Sequence, residues 1–155
     1  QHGFVGHRVI AEWVNLGALT TTSDLKNNYG NVRVMMDGTE KETGSNKIGS
    51  LLGAHVKTGI GTLLPTGAHV GVGSNLLGGG KFAPKFVPPF SWWDGDKLDE
   101  HRIDAFIATA RVAMERRRKA LTMAQENQLK ALFTLTAPER RTDPLAATAH
   151  PFRRS

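Results

Sequence analysis

The side chains able to do chemistry in this 155-residue chain are 6 histidines, 20 Lys/Arg and 14 Asp/Glu, with no cysteine. Without a thiol there is no disulfide framework, zinc finger, iron–sulfur site or thiol nucleophile. The histidines and carboxylates do not fall at a metal-ligand spacing, so no metal is expected. Gly59-Ile-Gly61 and Gly71-Val-Gly73 hint at a dinucleotide loop, but neither completes Gly-x-Gly-x-x-Gly between a strand and a long helix. Arg116-Arg-Arg-Lys119 is one basic cluster without interleaved aromatics to stack on bases. It reads as a solvated or anion-neutralising helix end, and no nucleic-acid partner is expected. What remains are His, Lys, Asn and Asp side chains, whose use depends on the elements that position them.

Those elements divide the chain in two. All 17 glycines lie between Gly3 and Gly95. Residues 1–96 hold 8 Lys/Arg against 7 Asp/Glu, while 97–155 hold 12 against 7, so most of the net +6 sits in the glycine-free part. From Leu52 a six-residue period runs: Leu52, Thr58, Leu64, Val70 and Leu76 at its first position, Gly53, Gly59, Pro65 and Gly71 at its second, Val56, Thr62, Ala68 and Ser74 at its fifth. A looser block precedes it, in segments opening at Phe4, Ile10 and Leu16. Aliphatics facing inward, small residues beside them and glycines at the corners predict a parallel β-helix of short strands over residues 1–80. Residues 22–47 break the period and predict an insertion loop, with a short hairpin around Val32–Thr39. So few coils bury little on their own, so both earlier coils at the start and side-by-side subunits are expected.

Residues 81–96 predict an extended aromatic and proline strap, non-helical through Pro88-Pro89, lying across the β-helix or a neighbouring subunit. A helix is predicted from 97 to about 120, with Ile103, Phe106, Ile107, Ala110 and Met114 on one face and the basic run in its last turns. Thr122-Met-Ala-Gln125 is a capping box opening a second helix to about Phe133. The helical appendage is placed at 97–136 and a disordered tail at 137–155. No apolar run reaches the roughly 20 residues of a membrane span, and no membrane partner is expected. The opening Gln1-His2-Gly3-Phe4 has neither an initiator Met nor a leader pattern, which predicts a piece of a longer protein in a cytoplasmic setting.

The words flanking the repeats are more specific. Gly3-Phe-Val-Gly6, Glu12-Trp-Val-Asn-Leu-Gly-Ala18, Asp24-Leu-Lys-Asn-Asn-Tyr29, Lys57-Thr-Gly-Ile-Gly61 and Pro84-Lys-Phe-Val-Pro with Phe90-Ser-Trp92 resemble the C-terminal region of bacterial GlmU-like sugar nucleotidyltransferases, from residue 1 to about Phe133. The resemblance implies a left-handed β-helix of hexapeptide repeats with a C-terminal α-helical appendage, assembled as a homotrimer with active sites between subunits. It also implies acetyl-CoA-dependent N-acetylation of an amino-sugar 1-phosphate. The family's N-terminal nucleotidyltransferase domain is missing from this chain. The competing expectation is a non-catalytic trimerisation module for that absent domain.

Acetyl transfer needs a general base, donors for the tetrahedral oxyanion and cations for phosphates. Matching the family's base position on Phe4 places it at Gln1, which cannot act as a base. Either a one-residue slip recruits His2, or acetylation is lost, and His7 competes if the coil is shortened. The resemblance further implies that Asn15, Asp24, Lys26, Asn28 and Tyr29, backed by Arg33, meet the sugar phosphate. It implies that Ala18, Ala54 and Lys57 meet the acyl donor. His55 and His69 read as outward surface residues, and His101 as a helix residue.

Overall fold

The computed structural model describes residues 4–141. His2 and the expected base position at residue 1 lie outside them, as does the tail beyond residue 141. The chain is mainly β, with parallel sheets followed by a few helices. Its first strands are β1 (Val9–Ile10), β2 (Asn15–Leu16) and β3 (Thr21–Thr22). A hairpin of β4 (Arg33–Met36) and β5 (Thr39–Glu42) follows. Then come β6 (Leu51–Leu52), β7 (Lys57–Thr58), β8 (Leu63–Leu64), β9 (His69–Val70) and β10 (Asn75–Leu76), each starting six residues after the last. β11 (Phe86–Val87), β12 (Ser91–Trp93) and β13 (Leu98–Glu100) complete the strands. The helices are α1 (Ile103–Glu115), α2 (Met123–Leu135) and α3 (Ala137–Arg141).

Successive strands enter three ladders in turn. The first runs β1-β6-β9-β11, the second β13-β12-β10-β7-β2, the third β3-β8. Within them the pairing is parallel except for β12 with β13, and Leu52 sits opposite Val70, Thr58 opposite Leu76. Leu52, Val56, Leu64, Ala68, Val70, Leu76, Val87 and Trp93 form the buried core between the ladders. Thr58, Thr62 and Ser74 are buried with them, each hydroxyl finding a partner: Thr58 with Thr20 at 2.7 Å, Thr62 donating to Gly59 O at 2.9 Å, Ser74 to Pro88 O at 2.9 Å. Burying a hydroxyl is costly unless it is paired in this way.

The corners differ from the sequence expectation. The left-handed backbone conformation falls on the fourth residue of each segment, not on the second-position glycines. His7, Trp13, Leu19, His55, Gly61, Gly67 and Gly73 have φ between 42° and 71°. Gly53 and Gly71 are needed for a different reason: the segments that follow paired strands pass too closely for a side chain. A Cβ at Gly53 would lie 2.6 Å from Val72 N, and one at Gly71 2.3 Å from Pro89 N.

Four more expectations are corrected. The strap does not lie across the ladders but joins them, with Phe86 opposite His69 and Trp92 opposite Asn75, so the stack runs past residue 80 to Trp93. Residues 98–100 form an antiparallel edge strand on β12, and α1 starts only at Ile103. That helix closes at Glu115, because Arg118 takes a φ of 58° and Lys119 N bonds back to Met114 O; the basic run therefore lies in the terminating turn. Residues 137–141, expected in a disordered tail, are helical. Arg140 holds them in place, its guanidinium bonding Glu100, Pro89 O, Thr136 and Phe133 O while lying 4.1 Å from the Phe133 ring centre.

The insertion carries the expected hairpin, docked through His69 Nδ1 donating to Met35 O at 2.6 Å and Lys85 pairing with Glu40 at 3.2 Å. Helix α1 lays Phe106, Ile107, Ala110 and Met114 against Phe90, with Trp13 and Val72 packed beside them, in a cluster separate from the core between the ladders. The absent side chain at Gly73 makes that possible, since a Cβ there would meet Phe90 at 2.7 Å and Phe106 at 3.0 Å. Helix α2 opens on the expected Thr122–Gln125 capping box.

Candidate functional site

The candidate residues fall in two places. The first is the corner at His7 and the loop that faces it. His7 is held with φ 42°, its carbonyl accepting from Gly49 N at 2.7 Å. Its Nδ1 lies 2.5 Å from Asp24 Oδ2, which is largely shielded while His7 stays more than half exposed. An ionised carboxylate only accepts, so Nδ1 carries the shared proton, and in the neutral ring Nε2 is then the basic nitrogen. A histidine oriented by a carboxylate with a free basic nitrogen is the arrangement of a general base.

Beyond Asp24 the chain makes a polar turn. Lys26 Nζ donates to Asn31 O, Asn28 Oδ1 accepts from Gly30 N at 3.0 Å, and Tyr29 sits 70% exposed with φ 56°. Lys26 and Asn28 line a shallow cavity of about 440 Å³ with Ser23, Pro65, Thr66 and Phe82. Arg33 is already engaged, bonding Glu42 at 2.9 Å and lying 3.7 Å from Glu40, and those carboxylates raise its pKa. A phosphate has to compete with both to recruit it.

The second place is the second ladder. Asn15 and Lys57 are paired across β2 and β7 and line one groove with Trp13 and helix α1. Lys57 Nζ donates to His55 O at 3.2 Å, and burial lowers its pKa. Ala18 and Ala54 lie at corners, their carbonyls accepting from Gly61 N and Gly73 N at 2.9 Å, and neither lines that groove. His7, Asp24, Lys26 and Asn28 do not line it either. Among the described residues, His7 and the expected donor residue Lys57 therefore line no common groove.

The residues read as outward correct the expectation most sharply. His55 is 6% exposed, stacked 6.2 Å from Trp13 and edge-on to Phe106 at 5.6 Å. Burial, with Lys57 adding to it, pushes its imidazole down to about 4. Its Nδ1 has no hydrogen-bond partner. His101 precedes the helix rather than lying on it, buried between Trp92 and Phe106 with Nδ1 donating to Gly73 O at 2.9 Å. Burial lowers its pKa as well. What the sequence reading missed is Trp13, Arg116 and Arg117 as lining residues of the groove. Trp13 and His55 share the fourth segment position one coil apart, which was the available signal for their stacking. Nothing local announced that α1 would fold back over them.

Among the described residues no cluster of three His, Cys, Asp or Glu could hold a metal ion, and no helix is long and apolar enough to cross a membrane. No family model matches the chain. Its sequence is similar to a bifunctional sugar-1-phosphate nucleotidylyltransferase/acetyltransferase of Sulfurisphaera tokodaii, 36% identical over 76 residues. The match takes in 49% of this chain and 19% of that relative, so the chain corresponds to about a fifth of the relative's length.

Proposed function

We propose that this chain is the acetyl-transfer part of a GlmU-like protein, a left-handed β-helix of hexapeptide repeats that moves an acetyl group from acetyl-CoA to the amine of an amino-sugar 1-phosphate. The His7–Asp24 pair carries the reading, together with the similarity to a sugar-1-phosphate transferase. Asp24 fixes the imidazole, and His7 Nε2 takes a proton from the sugar amine as nitrogen attacks the thioester carbonyl. The tetrahedral oxyanion collapses, the carbon–sulfur bond breaks, and the proton passes from His7 to the departing CoA sulfur. Lys26, Asn28 and Tyr29 close over the sugar phosphate, and Lys57 with Ala18 and Ala54 meets the donor. The working form that the resemblance implies is a homotrimer, and sites that combine two copies would join base and donor residues that line no common groove in one chain. The absent nucleotidyltransferase domain consumes the acetylated product in the whole protein.

One observation favours a second reading, a non-catalytic trimerisation module: Arg33, wanted for phosphate, is neutralised by Glu42. Mass spectrometry of a reaction holding acetyl-CoA and glucosamine 1-phosphate separates the two. The N-acetylated sugar phosphate is expected, with free CoA in equal amount. A folded trimer by light scattering that yields no product leaves only the scaffold role.

A further inference from the structure

We propose that the groove between α1 and the second ladder is a binding site for a phosphate ester, with Lys57, Arg116 and Arg117 holding the phosphate while Trp13 and Val112 take the body of the ligand. The groove encloses about 720 Å³, within the range of small-molecule sites. Its cations come from places far apart in sequence, one from β7 and two from the turn that ends α1. Asn15 and Thr109 add neutral polar groups beside them.

The charge balance sets this groove apart. Its lining holds three cations and no carboxylate, whereas the cavity beside the hairpin sets Glu40 and Glu42 against Lys26, Arg33 and Lys85. Among the described residues none of Lys57, Arg116 and Arg117 pairs with a carboxylate. An anion is favoured in a groove whose charged lining is cationic throughout. The half-buried Lys57, its pKa lowered by lost hydration, gains most from such a counter-ion. Trp13 is fixed by its stack on His55, and Val112 is 58% exposed on the helix wall, so an apolar surface stands ready beside the charges. Two sources carry this chemistry, the phosphates of an acyl donor and that of an amino-sugar 1-phosphate. Only the choice between them rests on the acetyl-transfer reading.

Calorimetric titration of the 155-residue chain with coenzyme A, with glucosamine 1-phosphate and with inorganic phosphate tests the site. One of the two esters is expected to bind more tightly than inorganic phosphate. Its affinity should fall at least about tenfold in Arg116→Ala/Arg117→Ala and weaken as salt is raised. Both arginines are exposed, so the variant keeps the fold, and Arg118→Ala/Lys119→Ala, just outside the groove, should bind as the wild type does. The arm that responds to the double variant identifies the source. Unchanged affinity in Arg116→Ala/Arg117→Ala, or folded wild type that binds neither ester, overturns the proposal. Acetyl transfer that proceeds with the same KM in that variant removes the groove and leaves the transferase reading. Arginine-dependent binding without any transfer removes the transferase reading and leaves the groove.

Discussion

His7 and His55 occupy the same kind of corner, with φ of 42° and 61°, yet their surroundings give them opposite chemistry. A non-glycine residue in this region is strained by about 1 kcal/mol or more, and such strain gathers where a side chain must be aimed. At His7 the corner aims an exposed imidazole at Asp24. At His55 it drives the ring between Trp13 and Phe106, where charging it is costly. The unfolded chain binds that proton near 6.5 and the folded chain near 4, so this contribution to stability is complete above about pH 6.5 and is lost as pH falls toward 4. The loss amounts to about 3 kcal/mol at most. His101 shifts the same way and adds to it, and Lys57 is the charged group that opposes protonation of both. Urea unfolding at pH 7.5 and pH 5 should show wild type losing stability on acidification. His55→Phe, which keeps the stack and removes the unpartnered Nδ1, should lose distinctly less. Equal losses in the two proteins would contradict the assignment. The sequence offered His7 as a competing base and His55 as an outward surface residue. Their difference comes from partners 17 and 51 residues away, Asp24 and Phe106.

At the scale of elements, close stacking rather than glycine's freedom decides the second-position residues. Gly71→Ala puts a Cβ against Pro89 backbone, with no flexible side chain to give way. Thermal unfolding of that variant should show a loss of about 1–3 kcal/mol or more, as overpacking does; an unchanged midpoint would mean that Gly71 and Pro89 are not packed as described. Much of this level was readable in advance. The positions picked by period, Leu52, Leu64, Val70 and Leu76, are buried, and so are the helix face residues Phe106, Ile107, Ala110 and Met114. The strap was misread because Pro88-Pro89 suggests a chain leaving a sheet. Prolines also fit a corner, where no ladder bond is needed from their nitrogens. The boundaries of α1 were misread because neither its stop nor its start carries an ordinary signal. Arg118 takes a conformation usually given to glycine, and Arg102 makes no side-chain cap.

At the scale of the whole molecule, the ladders and α1 share one scaffold but hold the candidate residues at separate corners. His7 faces the insertion loop, while Lys57 and Asn15 face the helix. No motif could have announced that separation, because it follows from which ladder each segment joins. It is why the proposed chemistry is assigned to an assembly. The base is the part of this account on which the rest depends, so the rate of CoA release with glucosamine 1-phosphate, measured for wild type and His7→Gln on samples of equal assembly mass, tests it most directly. The account predicts a fall of roughly 10²–10⁴-fold in His7→Gln with the assembly intact; a rate equal to wild type in that variant would contradict it.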